Sequence, residues 1–147
     1  MEALKKIRNT PVSELMQRDV ITIDGSQNVA QAIQLMKTHK VASLVVVPRN
    51  DDDAFGILTV RDILGKVIDP GEDIYRDIWN TQVHDIMNKP VFSIDPTMRV
   101  KYALRMMNKL GVRRLVVLRG NELAGIISEI EIFRAVEELP AVAQVAL

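Results

Sequence analysis

Thr59 stands three residues before Asp62, and Ser128 three residues before Glu131. A hydroxyl and a carboxylate at this spacing can close a capping box, each side chain satisfying a main-chain N–H at a helix start. They can also present a carboxylate at a helix N-terminus, where free N–H groups and the helix dipole favour anions. A carboxylate held there can accept a charge-assisted hydrogen bond from each of two vicinal hydroxyls, with directional specificity. Arg113-Arg114 is a second candidate. Such a pair can grip a phosphate bidentately without losing charge, can pair with Glu131, or can stand solvated.

These residues recur because the chain is written twice. Residues 56–64 read GILTVRDIL and residues 125–133 read GIISEIEIF. Shifted by 71, the stretch from Val12 falls on the stretch from Val83, pairing Met16 with Met87, Asp24 with Asp95 and Met36 with Met107. VASLVVV, from Val41, falls on VRRLVVL, from Val112. The offset drops to 69 at Gly56 and Gly125, so the first copy carries two extra residues within PRNDDDAF. That polar stretch lies between two apolar runs, where insertions are tolerated.

Each copy has the same grammar. A short helical turn (VSELM, VHDIM) leads to a β-rich run (VITI, VFSI), and Asp24 or Asp95 marks a turn. A helix follows over 28–39 or 99–110, with Val29, Ala32, Ile33 and Met36, or Val100, Ala103, Leu104 and Met107, at helical spacing. Two strands come next, SLVVVP and AFGILT or RLVVLR and ELAGIIS, and a last helix begins near Val60 or Glu129. The organisation is an N-terminal segment 1–10, a first repeat 11–69, a connector 70–81 with a helical turn or two, a second repeat 82–138 and an apolar tail 139–147.

Composition limits the function. Net charge is zero, which argues against a general electrostatic grip on nucleic acid or membrane. The chain has no cysteine, so thiol nucleophiles, disulfides and Cys-based metal sites are excluded, and a reducing, cytoplasmic setting fits. No apolar run is long enough to span a membrane. A P-loop, a G-x-S-x-G elbow and metal-spaced histidines are missing, so no catalytic or metal-binding residues are assigned and no enzyme activity is expected. His39 and His84 read as surface residues, and Asp51-Asp52-Asp53 as a solvated loop. Apolar residues beyond one core stripe, Leu35, Met106, Phe133 and Val136, suggest self-association.

The order β-α-β-β-α written twice resembles the CBS (cystathionine β-synthase) domain pair, or Bateman module. The residues that carry the likeness are Thr22 and Ser93 in the first strands, the V-x-x-L-V-V second strands, and the G-I-[LI]-[TS]-x-x-[DE] third strand and helix start. The resemblance covers residues 11–138. It implies an α/β (α+β) fold of tandem repeats packed sheet to sheet about a pseudo-twofold axis, with two clefts. It implies a regulatory ligand, an adenine nucleotide (AMP, ADP or ATP) or S-adenosylmethionine. It also implies a homodimer, an effector protein as partner, and here a stand-alone module. The ribose then falls to Asp62 with Thr59 nearby, while Thr22, Val41, Ala42 and Ser43 line the base and the cleft. The matching second-copy positions are Ser93, Val112, Arg113, Arg114, Ser128 and Glu131. Glu131 departs from the family's Asp, and Arg113 and Arg114 replace Ala42 and Ser43. On that ground the Asp62 cleft is expected to be the better formed. The competing reading is a dimerisation or interaction module that binds no small molecule.

Overall fold

The computed structural model describes residues 1–71 and 76–147. A helix α1 (Glu2–Arg8) occupies the N-terminal segment, where the sequence reading assigned no element. A 3₁₀ turn (Val12–Glu14) precedes β1 (Thr22–Ile23), α2 (Val29–His39), β2 (Ser43–Val46), β3 (Gly56–Thr59) and α3 (Val60–Ile63). The second copy supplies α4 (Val83–Ile86), β4 (Ser93–Ile94), α5 (Val100–Leu110), β5 (Arg114–Arg119), β6 (Glu122–Ser128) and α6 (Glu129–Glu137). A last helical turn, α7 (Pro140–Ala143), lies in the tail, with Val142, Val145 and Leu147 exposed. The helical turn expected in the connector falls partly on 72–75, outside the described residues. Beyond them, Asp77 accepts the N–H groups of Trp79 (2.8 Å) and Asn80 (2.7 Å) and shapes a turn.

Local chemistry explains the element ends. Asn28 and Gln31 exchange side-chain bonds to each other's N–H groups, both 2.8 Å, and start α2. α2 ends at Lys40 in the left-handed region (φ 55°), and α5 at Gly111 (φ 67°). Glycine meets that requirement without the steric cost of a Cβ. The two helices that follow the third strands differ. α3 widens at once into a π turn over Leu64–Ile68, in which Asp69 N–H donates to Leu64 O at 2.9 Å. α6 continues as regular helix.

Each copy makes one three-stranded sheet, ordered β1-β2-β3 and β4-β5-β6. The first two strands run parallel and the last two antiparallel. Side chains alternate between faces along a strand, and paired residues share a face. Ile23, Leu44, Val46 and Leu58 therefore fall on the core side with Val29, Ala32 and Met36 of α2. Ile94, Leu115, Val117 and Ile127 do the same with Val100, Ala103 and Met107 of α5. Leu104, read at a core spacing, stands exposed, while Met106 packs partly on the core.

The chain forms two compact bodies, one of residues 20–91 and one of 1–19 with 92–147. The sequence repeat and the folded body are thus different units. Val12 and Met16, from the start of the first copy, are buried with Ile94, Leu115 and Ile127 of the second. Val83 and Ile86, from the start of the second copy, are buried with Ile23, Leu44 and Leu58 of the first. Each exchanged segment also pairs with the third strand of its host sheet. Gln17 and Ile126 exchange N–H···O bonds of 2.8 and 3.0 Å, and Asn88 and Ile57 two of 2.9 Å.

This pairing needs glycine beside it. A Cβ on Gly125 would lie 2.6 Å from Gln17 O, a main-chain atom, and 2.6 Å from the Met16 sulfur. A Cβ on Gly56 would meet the flexible Met87 sulfur at 2.7 Å, with Asn88 O at 3.3 Å. Overpacking of this kind costs about 1–3 kcal/mol. Gly125→Ala is expected at the upper end and Gly56→Ala lower, as read by urea unfolding. Equal losses would show that the main-chain approach is not the constraint.

The turns predict acid sensitivity. Ser26 N–H and hydroxyl hold the Asp24 carboxyl below its ordinary range. Thr97 hydroxyl and N–H do so for Asp95, and the Asn80 side chain and N–H for Asp77. Arg49 N–H and then Lys89 do so strongly for Asp53. A depressed folded pKa gives stability that is complete above the unfolded value of about 3.9 and lost as pH falls towards the folded value. Unfolding free energy should therefore decline below about pH 4. The deficit of Asp53→Asn relative to the wild type should be larger at pH 6 than at pH 3.

Candidate functional site

The first-copy residues gather at one end of the 20–91 sheet. Ser43 and Thr59 are register partners, and Thr22 pairs with Val45, two residues on from Ser43. Thr22, Ser43 and Thr59 therefore share the sheet face opposite the core. Val41 N–H closes on Met36 O at 3.1 Å, bringing the chain out of α2 and into β2. Ala42 O accepts Val60 N–H at 3.0 Å, so the start of β2 holds the start of α3.

The other body repeats this arrangement. Arg114 and Ser128 are register partners, Ser93 pairs with Val116, and Arg113 O accepts Glu129 N–H at 3.0 Å. Val112 N–H closes on Met107 O at 3.0 Å. Ser93, Arg114 and Ser128 share one face, and the Arg113 carbonyl docks the start of α6. Among the described residues, neither Arg113 nor Arg114 is ion-paired, so the pairing of either with Glu131, left open by the sequence, is not made.

The two carboxylates have different environments. Asp62 Oδ2 accepts from Thr59 N–H and Oγ–H, both 2.9 Å, and Thr59 Oγ in turn accepts Asp62 N–H at 3.2 Å. Asp62 Oδ1 accepts from Asn88 Nδ2 at 3.0 Å and lies 3.4 Å from Lys66 Nζ. Of the roughly four lone-pair sites of a carboxylate, three accept hydrogen bonds here and the Lys66 ammonium stands beside Oδ1. The side chain is correspondingly buried, 10% exposed. Glu131 accepts from Ser128 N–H at 3.1 Å and Ser128 Oγ–H at 2.7 Å, one bond to each oxygen. It is half-buried, and each oxygen keeps a lone pair for a further donor.

Lys66 and Asn88 are the site residues that sequence reasoning missed. Lys66 carried a signal, because it stands four residues after Asp62 on a helix, the spacing of an ion pair. Asn88 carried none, since its approach to Asp62 depends on the exchanged segment pairing with β3. The repeat register matches Lys66 to Ala135 and Asn88 to Gln17. Ala135 offers no ammonium, and among the described residues the Gln17 amide makes no bond to Glu131. Asp53 departs from the solvated-loop reading. Asp51 and Asp52 are exposed, but Asp53 turns inward onto Arg49 and Lys89, its side chain 11% exposed.

The sequence profile of the CBS domain matches residues 12–69 and 83–138, most of the chain and both copies. The chain belongs to the CBS domain family. It is 30% identical to the uncharacterized protein MJ1404 of Methanocaldococcus jannaschii over 145 residues, covering 92% of this chain and 34% of that protein. It is 32% identical to the uncharacterized protein MK0525 of Methanopyrus kandleri, covering 83% of this chain and 60% of that one. The chain therefore spans between a third and three-fifths of these relatives. Among solved structures, the hexameric CBS-CP12 protein from bloom-forming cyanobacteria superposes with a TM-score of 0.78. It is 38% identical, over 84% of this chain and 69% of that one. The fold is a tandem CBS pair, and such pairs are generally regulatory modules. No helix among the described residues is long and apolar enough to cross a membrane.

Removing each carboxylate without any ligand should separate the two sites. Asp62→Ala loses a helix cap and leaves the Asn88 amide without its partner, while Lys66, 43% exposed, keeps Ile86 O and adds little, a cost of about 1.5–3 kcal/mol. Glu131→Ala loses only the Ser128 bonds, about 0.5–1 kcal/mol. Denaturant midpoints of the two variants check this. Equal losses would mean that Lys66 and Asn88 contribute nothing at Asp62.

Proposed function

We propose that this CBS pair is a regulatory sensor of an adenosyl ligand, AMP, ADP or ATP foremost and S-adenosylmethionine next. The observation that carries the reading is the open Glu131 carboxylate beside Ser128, with Arg114 across the ladder and Arg113 adjacent. A ribose diol can donate to the two unused lone pairs of Glu131, and Arg113 or Arg114 can take the phosphates. Ser93 and Val112 complete the sheet face on which the base lies.

In the first copy, Thr22, Val41, Ala42, Ser43, Thr59 and Asp62 offer the corresponding set. Here a ribose hydroxyl competes with the Asn88 amide and the nearby Lys66 ammonium for Asp62 Oδ1. Lys66 Nζ also donates to Ile86 O, in α4, at 2.8 Å. Displacement would release that turn, giving the differential state that a sensor requires. Affinity at Asp62 is lower by the cost of breaking these bonds, so the Glu131 site fills first. The effector is a protein.

Self-association accompanies this reading. Leu64 and Ile68 on one body, and Ile130 and Phe133 on the other, are 54–60% exposed. The CBS-CP12 relative is hexameric, and the family resemblance favours a homodimer.

Thermal unfolding with AMP, ADP, ATP and S-adenosylmethionine tests the proposal. At a hundred times Kd a bound ligand adds about 2.7 kcal/mol, which is roughly 5–10 °C for a chain of this size. The shift should appear with at least one of these ligands and vanish in Glu131→Gln and in the double variant Arg113→Ala, Arg114→Ala. A shift that survives both but vanishes in Asp62→Ala would move the site to the first copy. No shift with any ligand would favour the interaction-module reading.

A further inference from the structure

A cleft of about 580 Å³ opens in the 20–91 body at the opposite end of β2 and β3 from Thr59 and Asp62. Val46 and Met87 give it an apolar floor, and Arg49, Asp53, His84 and Lys89 stand around it. Ser43 and Val46 are three residues apart on one strand, so about 10 Å separates this cleft from the cap end of the sheet. None of the residues named for the adenosyl reading lines it, and it does not rest on that reading.

Asp53 fixes the cations. Its Oδ2 accepts Arg49 N–H at 2.9 Å and lies 3.4 Å from Arg49 Nε, while Oδ1 pairs with Lys89 Nζ. These bonds keep Asp53 ionised, so it tethers both cations from one side. The tether uses one of five guanidinium N–H donors and one of three ammonium donors. Among the described residues the Arg49 Nη groups have no partner. Among the side chains that line the cleft, two cations stand against one carboxylate. Asp85 lies 3.3 Å from His84 Nδ1 and Asp24 also faces His84, so two further carboxylates stand beside the cleft.

The other copy does not repeat the residues that line this cleft. Arg49, Asp53 and Ala54 come from the hairpin that carries the two-residue insertion. In the other copy Pro96, Ser13 and Arg18 match Gly25, His84 and Lys89, and Arg18 is turned onto Ser13 O at 2.8 Å. The inserted hairpin therefore contributes Arg49, Asp53 and Ala54 to a cleft whose floor is apolar. The cleft volume falls in the range of small-molecule pockets.

We infer that this cleft binds a small organic phosphomonoester, its phosphate on Arg49 and Lys89 and its apolar body over Val46 and Met87. A phosphomonoester dianion brings three terminal oxygens and about two charges, so it can engage the free Arg49 Nη groups and the remaining Lys89 donors together, with more charge than one carboxylate carries.

The test is a titration of the isotopically labelled full chain, followed by amide NMR, with phenyl phosphate, inorganic phosphate and benzoate. Phenyl phosphate should shift the amides of Gly25, Val47 and His84, and bind at least about tenfold tighter than either other probe. Arg49→Met and Lys89→Met should each weaken it by about tenfold while keeping the side-chain stem. Arg49 is exposed, so its variant reports binding even if the Lys89 variant is less stable. Benzoate binding as tightly, no loss in Arg49→Met, or shifts confined to Arg114 and Ser128 would each overturn the inference.

Discussion

The strand-to-helix junction of each copy is held by a hydroxyl and a carboxylate three residues apart, and the candidate site depends on it. Thr59 with Asp62, and Ser128 with Glu131, turn the chain out of the third strand. The first helical N–H on each side then docks on the second strand, at Ala42 O or Arg113 O. Two local contacts thus lock the start of one strand, the end of another and a helix N-terminus together. Polar residues on these three elements converge without any long-range instruction. The same junction both folds the chain and assembles the site, which is why a capping box and a ligand carboxylate are not rival descriptions of Glu131. One bond per oxygen satisfies the cap, and the remaining lone pairs stay available.

A second constraint is the exchange of the short turns. Val12 and Met16 are buried in the body built largely from the second copy, and Val83 and Ile86 in the body built from the first. Neither copy carries its own complete core. A mutation in one turn therefore acts on the other copy's sheet, and the two halves of the sequence are coupled in stability. Gly125 and Gly56 mark where the exchanged backbone runs against the third strand, too close for a Cβ without displacement.

Much of this was legible in the sequence. The repeat, the period of α2 and α5, the strand runs and the capping hydroxyls all rest on local pattern, and these elements stand where the pattern puts them. The Asp24 and Asp95 turns are equally local. Three features were not legible. Helix α1 has little apolar patterning, and none of its residues is buried. Exchange of the turns is invisible because Val12-Met16 and Val83-Met87 look alike, so a turn packed on its own copy and one packed on the other give the same sequence. The closure of Asp62 by Asn88 follows from that exchange, since Asn88 reaches Asp62 only as part of the strand pairing at Ile57. Asp53 was misread for a related reason. A run of three aspartates looks solvated, and only the hairpin's path brings the third between Arg49 and Lys89.

The change from Asp62 to Glu131 follows the placement of positive charge. In the first copy the nearest cation is Lys66, one helical turn beyond the carboxylate, where it can reach both Asp62 and Ile86 O. A short aspartate suits that geometry, because Oδ1 must stay close to the helix to meet Lys66 and Asn88 while Oδ2 caps Thr59. In the second copy Ala135 stands in the lysine's place, and the cations have moved to the start of the second strand as Arg113 and Arg114. Among the described residues Arg134, on the same helix, makes no bond to Glu131, so a longer side chain can satisfy the cap and still project. The first arrangement stores its carboxylate in internal bonds, which raises stability and the threshold for any ligand. The second leaves an acid and a base unpaired at the same end of one sheet, at some cost in stability. The two junctions share one cap, and the different placing of cations, Lys66 on the helix or Arg113 and Arg114 at the strand, leaves one carboxylate closed in internal bonds and the other with free lone pairs.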